Sequence, residues 1–135
     1  MASGGFTISF PKDLGVRREY VLGLLNSRLL FWRLRAMSNV FRGGWITCTK
    51  QYFGELPIVL PDLAARTDRS THDRMGELVD RILAMHASLA TAGTDHEKTV
   101  LKRQIDATDR EIDALVYELY DLTDDEIRIV EEATP

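Results

Sequence analysis

The chain lacks most of the features that would name a chemistry outright. It has a single cysteine, Cys48, so no disulfide can close within it. A lone thiol fits a reducing compartment, and a cytoplasmic location is expected. No apolar run approaches the ~18 residues that span a bilayer. The start, Met1-Ala2-Ser3-Gly4-Gly5, has neither the basic region nor the apolar core of a signal peptide. There is no Gly-x-Gly-x-x-Gly and no Gly-Lys-Ser/Thr phosphate loop. His72, His86 and His96 have no carboxylate or cysteine grouping at metal-ligand spacing, so no metal site is expected. No serine or cysteine sits in a nucleophile elbow. Pro61-Asp62 could open a Pro-Asp…Asp/Glu-x-Lys nuclease site, yet no Asp or Glu is followed two places later by Lys. The Asn/Asp-Pro-Pro-aromatic run that amino-methyltransferases use to hold a flipped base is also missing. These absences argue against an enzyme: no catalytic residue and no cofactor are expected.

What is present is unevenly distributed. Residues 1–60 carry eight Lys/Arg against three Asp/Glu, whereas residues 61–135 carry nine against eighteen. The first part can meet a polyanion and the second would repel one. Length suits one domain with a real core. Both tryptophans, Trp32 and Trp45, lie in the stretch from Tyr20 to Ile58.

Two segments read as short strands, Phe6–Phe10 by its alternation and Trp45–Thr49 by its strand formers. Between them the spacing predicts one long apolar helix from Val16–Arg18 to Ser38, interrupted in composition by Asn26 and Ser27. Arg28, Arg33 and Arg35 spread round its rim. Arg42-Gly43-Gly44 is a tight element that serves either as a plain turn or as a close backbone approach to a phosphate. Leu56–Pro61 reads as extended, because Pro57 and Pro61 disfavour helix before them.

Beyond Pro61 the pattern becomes helical. Ala64–Thr71 reads as a linker, with Ser70 or Thr71 capping a helix to about Thr91. Its seam, Met75, Val79, Ile82, His86 and Leu89, has heptad spacing. Gly93 is expected to end it. Thr94-Asp95-His96-Glu97 reads as a capping box for the next helix, whose seam is Leu101, Ile105, Thr108, Ile112, Leu115 and Leu119. The short connection makes these two helices an antiparallel hairpin. Thr123-Asp124-Asp125-Glu126 is a second capping box, opening a short last helix. The fold class expected is therefore α+β, mostly α: a small β element and an apolar helix, then a coiled-coil-like hairpin and a C-terminal helix.

Three blocks in this order carry a family resemblance. They are Leu24-Leu25-Asn26-Ser27, then Phe41-Arg42-Gly43-Gly44-Trp45 with Lys50-Gln51-Tyr52-Phe53-Gly54-Glu55-Leu56-Pro57-Ile58, then the tail from Ile112 to Ile127. Together they resemble the TaqI-like C-terminal specificity domain of type IIG restriction-modification enzymes and DNA adenine methyltransferases, related to the type I specificity subunits. The chain resembles a C-terminal fragment of such a protein. The resemblance implies a target recognition module over residues 1–61 and a helical hairpin with its tail over 62–135. It implies duplex DNA as partner, alongside the methyltransferase or nuclease part of a parent protein. Carried over, Arg42, Gly43, Gly44 and Lys50 become candidate DNA contacts, with Arg42 and Lys50 on phosphates, and Arg35 on the helix rim is a further candidate. The alternative is a protein-interaction module, in which Met75, Val79, Ile82, Leu89, Leu101, Ile105, Ile112, Leu115 and Leu119 dock on a methyltransferase core or on a second copy.

Overall fold

A continuous helix from residue 18 to residue 37 would satisfy the apolar pattern, yet the chain turns in the middle of it. The computed structural model describes residues 14–37 and 56–134. Helix α1 covers Arg18–Leu25 and helix α2 Arg28–Met37, with Asn26 and Ser27 at the elbow. Asn26 Nδ2 donates to the Leu22 carbonyl and Ser27 Oγ donates to the Leu24 carbonyl. The buried Ser27 hydroxyl also accepts the Leu30 N–H. Side chains of this kind compete with the helix ladder for backbone groups. The first free N–H of α2, that of Arg28, is taken by Asp113 Oδ1 at 2.9 Å, from a residue 85 positions away.

Packing supplies most of the energy of the bend. Leu29, Leu30 and Leu34 of α2 are all buried after the turn. Each contributes roughly 2 kcal/mol by leaving water, against about 1 kcal/mol for a single cap. The elbow therefore follows the core, and the polar contacts make it affordable to the backbone.

Helix α3 (Arg66–Thr91) and helix α4 (Asp95–Leu119) form an antiparallel hairpin, and helix α5 (Asp124–Ala133) closes the chain. α1 lies along α3, while α2 leans on α4 and α5. One core joins them through Tyr20, Leu24, Leu30, Met75, Leu78 and Val116. Towards the hairpin tip this cover runs out: residues 83–104 contain no buried side chain.

The expected α+β class is corrected by these helices. Among the described residues there are five helices and no strand. The segments Phe6–Phe10 and Trp45–Thr49, on which the β element rested, lie outside the described residues. No helix of the described residues is long and apolar enough to cross a membrane.

Several helix boundaries also differ from expectation. α3 starts at Arg66, inside the expected linker, with Ala65 as a cap that uses no side chain. The turn before it is held instead by Asp62 N–H to Asp68 Oδ2 and Ala64 N–H to Asp62 Oδ1. Thr71 sits within the helix and bonds back to the Thr67 carbonyl. At the far end the helix stops at Thr91 with Ala92 extended, and Gly93 does not adopt the left-handed conformation. Thr94 Oγ1 accepts the Glu97 N–H, but Glu97 returns to the N–H of Gly93 rather than of Thr94. The Thr123–Glu126 box is complete in both directions. α4 ends with Asp121 at φ 54°, and the Leu122 N–H reaches back to the Tyr117 carbonyl, a left-handed helix stop.

Candidate functional site

The hairpin holds the rest of the chain through side chains that cap helices other than their own. His72 lies inside α3, not at its start, and is buried. Its Nε2 accepts the Arg17 N–H at 2.9 Å, the first orphan donor ahead of α1. An accepting Nε2 requires a neutral ring with its proton on Nδ1, which faces Asp73 Oδ1 at 3.0 Å. The Tyr20 ring packs against it, centroids 5.4 Å apart. The Arg17 side chain crosses over Gly76 to reach Asp80 at 2.9 Å. This exposed hydrogen bond is the main reason the guanidinium holds its proton more tightly than usual.

Asp113 does for α2 what His72 does for α1. Besides capping the Arg28 N–H it faces Arg28 Nε at 3.6 Å. Burial raises its carboxyl above the usual range, and the bond and charge from Arg28 offset only part of that. Next to it opens a cleft of about 610 Å³, with an apolar floor that includes Leu22, Val79, Ile82 and Ile112. His86, Asp106, Asp109 and Arg110 line its polar side. Partial burial, then the neighbouring charge of Asp106, pushes the Asp109 carboxyl upward against the pull of His86 and Arg28. The lining includes no serine, threonine, cysteine or lysine to act as a nucleophile. Among the described residues no group of three His, Cys, Asp or Glu side chains could hold a metal ion.

Two tyrosines fix the chain where it returns at residues 56–60. The Tyr20 hydroxyl donates to the Val59 carbonyl at 2.7 Å. The Tyr120 hydroxyl accepts the Val59 N–H at 3.3 Å and donates to the Pro57 carbonyl. Burial pushes the Tyr20 phenol up to about 12 and raises that of Tyr120 as well. Tyr117 is different: its buried hydroxyl has no hydrogen-bond partner, and burial, with the charges of Asp113 and Glu131, pushes it up to about 12. The family resemblance implies that Tyr117 and Tyr120 pack the last helix on the hairpin. Both tyrosines share one core cluster with Val130 and Ile127 of α5, and Tyr120 in addition directs its hydroxyl to the extended segment.

The sequence-derived candidates fall as follows. Arg42, Gly43, Gly44 and Lys50 lie outside the described residues. Arg35 is exposed in the last turn of α2, in a shallow depression shared with Phe31 and Thr134. Met75, Val79, Ile105 and Ile112 are buried, and Ile82, Leu89, Leu101, Leu115 and Leu119 are half-buried. Of these nine, Met75, Val79, Ile82, Ile112, Leu115 and Leu119 belong to the core cluster or pack against it. Of the two polar seam positions, His86 is exposed in the cleft, whereas Thr108 is buried with its hydroxyl bonded to the Gln104 carbonyl. His72, Asp113 and Tyr120 were missed as organising residues. Their partners are distant in sequence, and no local spacing reports such pairs.

The five helices of the described residues pack on one shared core. The chain is similar in sequence to part of a known protein. Over 138 residues the chain is 24% identical to the type II restriction enzyme and methyltransferase RM.Eco57I of Escherichia coli. The match takes in 98% of this chain and 14% of that protein, so the chain spans a small part of the relative's length. No family model and no solved structure matches the chain.

Proposed function

We propose that the chain is a DNA-recognition module of a restriction-modification protein, binding duplex DNA without catalysis of its own. The observation that carries this reading is the likeness to a restriction enzyme and methyltransferase over 98% of the chain. Charge agrees with it. The basic part of the sequence includes Arg33 and Arg35 on α2 and continues through Arg42 and Lys50. Residues 111–135, by contrast, carry nine Asp/Glu and one Arg, and α5 within them leans on α2. Such an arrangement gives weak binding, because the acidic end opposes the phosphates that the basic segment attracts.

In this reading Arg42 and Lys50 contact phosphates, Gly43 and Gly44 allow the backbone to approach, and Arg35 adds a flanking charge. The methyltransferase or nuclease part of a parent protein supplies the chemistry. Fluorescence anisotropy with a labelled random duplex tests the reading. Binding is expected at low salt, with log K falling linearly as log salt rises. Absence of binding at low salt refutes the DNA assignment. Transfer of a labelled methyl group from a donor by this chain alone refutes the assignment of no catalysis.

A further inference from the structure

The cleft beside Asp113 and the depression beside Phe31 share two lining residues, Asn26 and Arg28, so they flank the elbow between α1 and α2. Each combines apolar surface with charge, and the charges are opposite. The cleft is walled by Leu22 and Leu83, large side chains that are 40% and 49% exposed. Its charged lining is Asp106, Asp109 and Asp113 against Arg28 and Arg110. Arg28 is spent on Asp113, which leaves two carboxylates against one guanidinium. Asp106 and Asp109 stand about one helical turn apart on α4, and neither makes an ion pair among the described residues. The depression holds Phe31, 44% exposed, and Arg35 one turn further along α2, with no carboxylate in its lining. Arg35 makes no ion pair among the described residues either.

We propose that these two patches bind each other across a two-fold axis at the elbow, so that the chain pairs with a second copy of itself. Charge complementarity selects that occupant. An isologous contact needs one surface that complements itself, and a two-fold axis between an acidic and a basic patch sets each against the other twice. In each half, Arg35 and Phe31 of one copy enter the cleft of the other, the guanidinium against Asp106 and Asp109 and the ring against Leu22 and Leu83. The incoming cation relieves the like-charge crowding that, after burial, raises the Asp109 carboxyl. Nucleic acid does not fit the cleft, since its carboxylates repel phosphate. The contact is also separate from the hairpin seam, whose buried members Met75, Val79 and Ile112 are already used in the core of the chain. Arg35 is the residue it shares with the DNA reading, and duplex and second copy compete for it. The proposal does not rest on that reading.

Sedimentation equilibrium of the full chain tests it, through a reciprocal exchange of charge. The parent is expected to form a reversible dimer at submillimolar concentration, and the dimer should weaken as salt rises. Asp106→Arg/Asp109→Arg sets guanidinium against Arg35, and Arg35→Glu sets carboxylate against Asp106 and Asp109. Each variant alone should dimerise at least about tenfold more weakly. In an equimolar mixture of the two, both halves of the contact again join opposite charges, and the dimer should return. A role of these exposed residues in the fold alone would not give that recovery. A parent that stays monomeric overturns the proposal. So does a dimer that neither variant weakens, or a pair of weakened variants that the mixture fails to restore. Circular dichroism checks that each variant folds. Should the double exchange unfold the chain, Asp106→Arg alone takes its place in the same mixture, since Asp106 is exposed.

Discussion

Asp113 offers the sharpest test of the fold, because two substitutions separate its shape from its charge. Asparagine retains an oxygen where Asp113 Oδ1 accepts the Arg28 N–H at 2.9 Å. It gives up the charge facing Arg28 Nε at 3.6 Å, a pair whose arginine side chain is 40% exposed. Such a half-exposed pair is worth about 0–1 kcal/mol. Asparagine also removes the burial penalty that raises the carboxyl above its usual range. These effects oppose each other, and Asp113→Asn should stay within about 1 kcal/mol of the parent at neutral pH. Alanine removes the cap and leaves the Arg28 N–H without its acceptor, at a cost of about 2–3 kcal/mol. For a chain of this length that lowers Tm by roughly 10 °C.

Urea unfolding at 25 °C, followed by circular dichroism, measures both variants. Equal losses for asparagine and alanine would show that the charge matters and the cap does not. An alanine variant within about 0.5 kcal/mol of the parent would refute the role of Asp113 altogether. The pH dependence carries a sign of its own. A carboxyl whose folded pKa is raised favours the folded state below its unfolded value, and that contribution is lost as pH rises through the folded value. The parent should therefore gain on Asp113→Asn as pH is lowered through the raised value towards 3.8.

Other consequences are independent of that pair. A Cβ at Gly23 would run into Met75 Sδ, which has no exposed surface, so Gly23→Ala should cost about 1–3 kcal/mol in a denaturant titration. Gly93→Ala meets nothing within 4 Å and should be neutral or stabilise by about 0.5 kcal/mol, opposite to what a left-handed stop would give. Tyr20 and Tyr117, each held up to about 12 by burial, predict stability that is flat below pH 10 and falls between pH 10 and 12. Tyr20→Phe should flatten that fall, and a parent chain with constant stability across the window would contradict the burial of both phenols.

How much could be read from the sequence depended on the distance between partners. The hairpin was legible because its seam repeats within each helix, and the Thr123–Glu126 box because its partners are three residues apart. The elbow at Asn26–Ser27 was not, since apolar residues continue on both sides of it. What makes a turn tolerable there is Asp113, on another helix. The start of α3 was read late because Asp62 and Asp68 stabilise it, not a serine or threonine. His72 offered no motif in the sequence, yet it caps a helix other than its own. The α+β reading gave way because the described residues are helical throughout their regular structure. For the site, composition pointed to the basic part of the chain, but Tyr20 and Tyr120 could be linked to residue 59 only in three dimensions.

The central claim is that this chain meets duplex DNA through Arg42 and Lys50. Its most direct test is the salt dependence of duplex binding for the parent and for the Arg42→Ala/Lys50→Ala double variant. Two lost phosphate contacts should reduce the slope of log K against log salt by about 1.8 and weaken binding to all sequences alike. Parental affinity and slope in the folded double variant would contradict the claim.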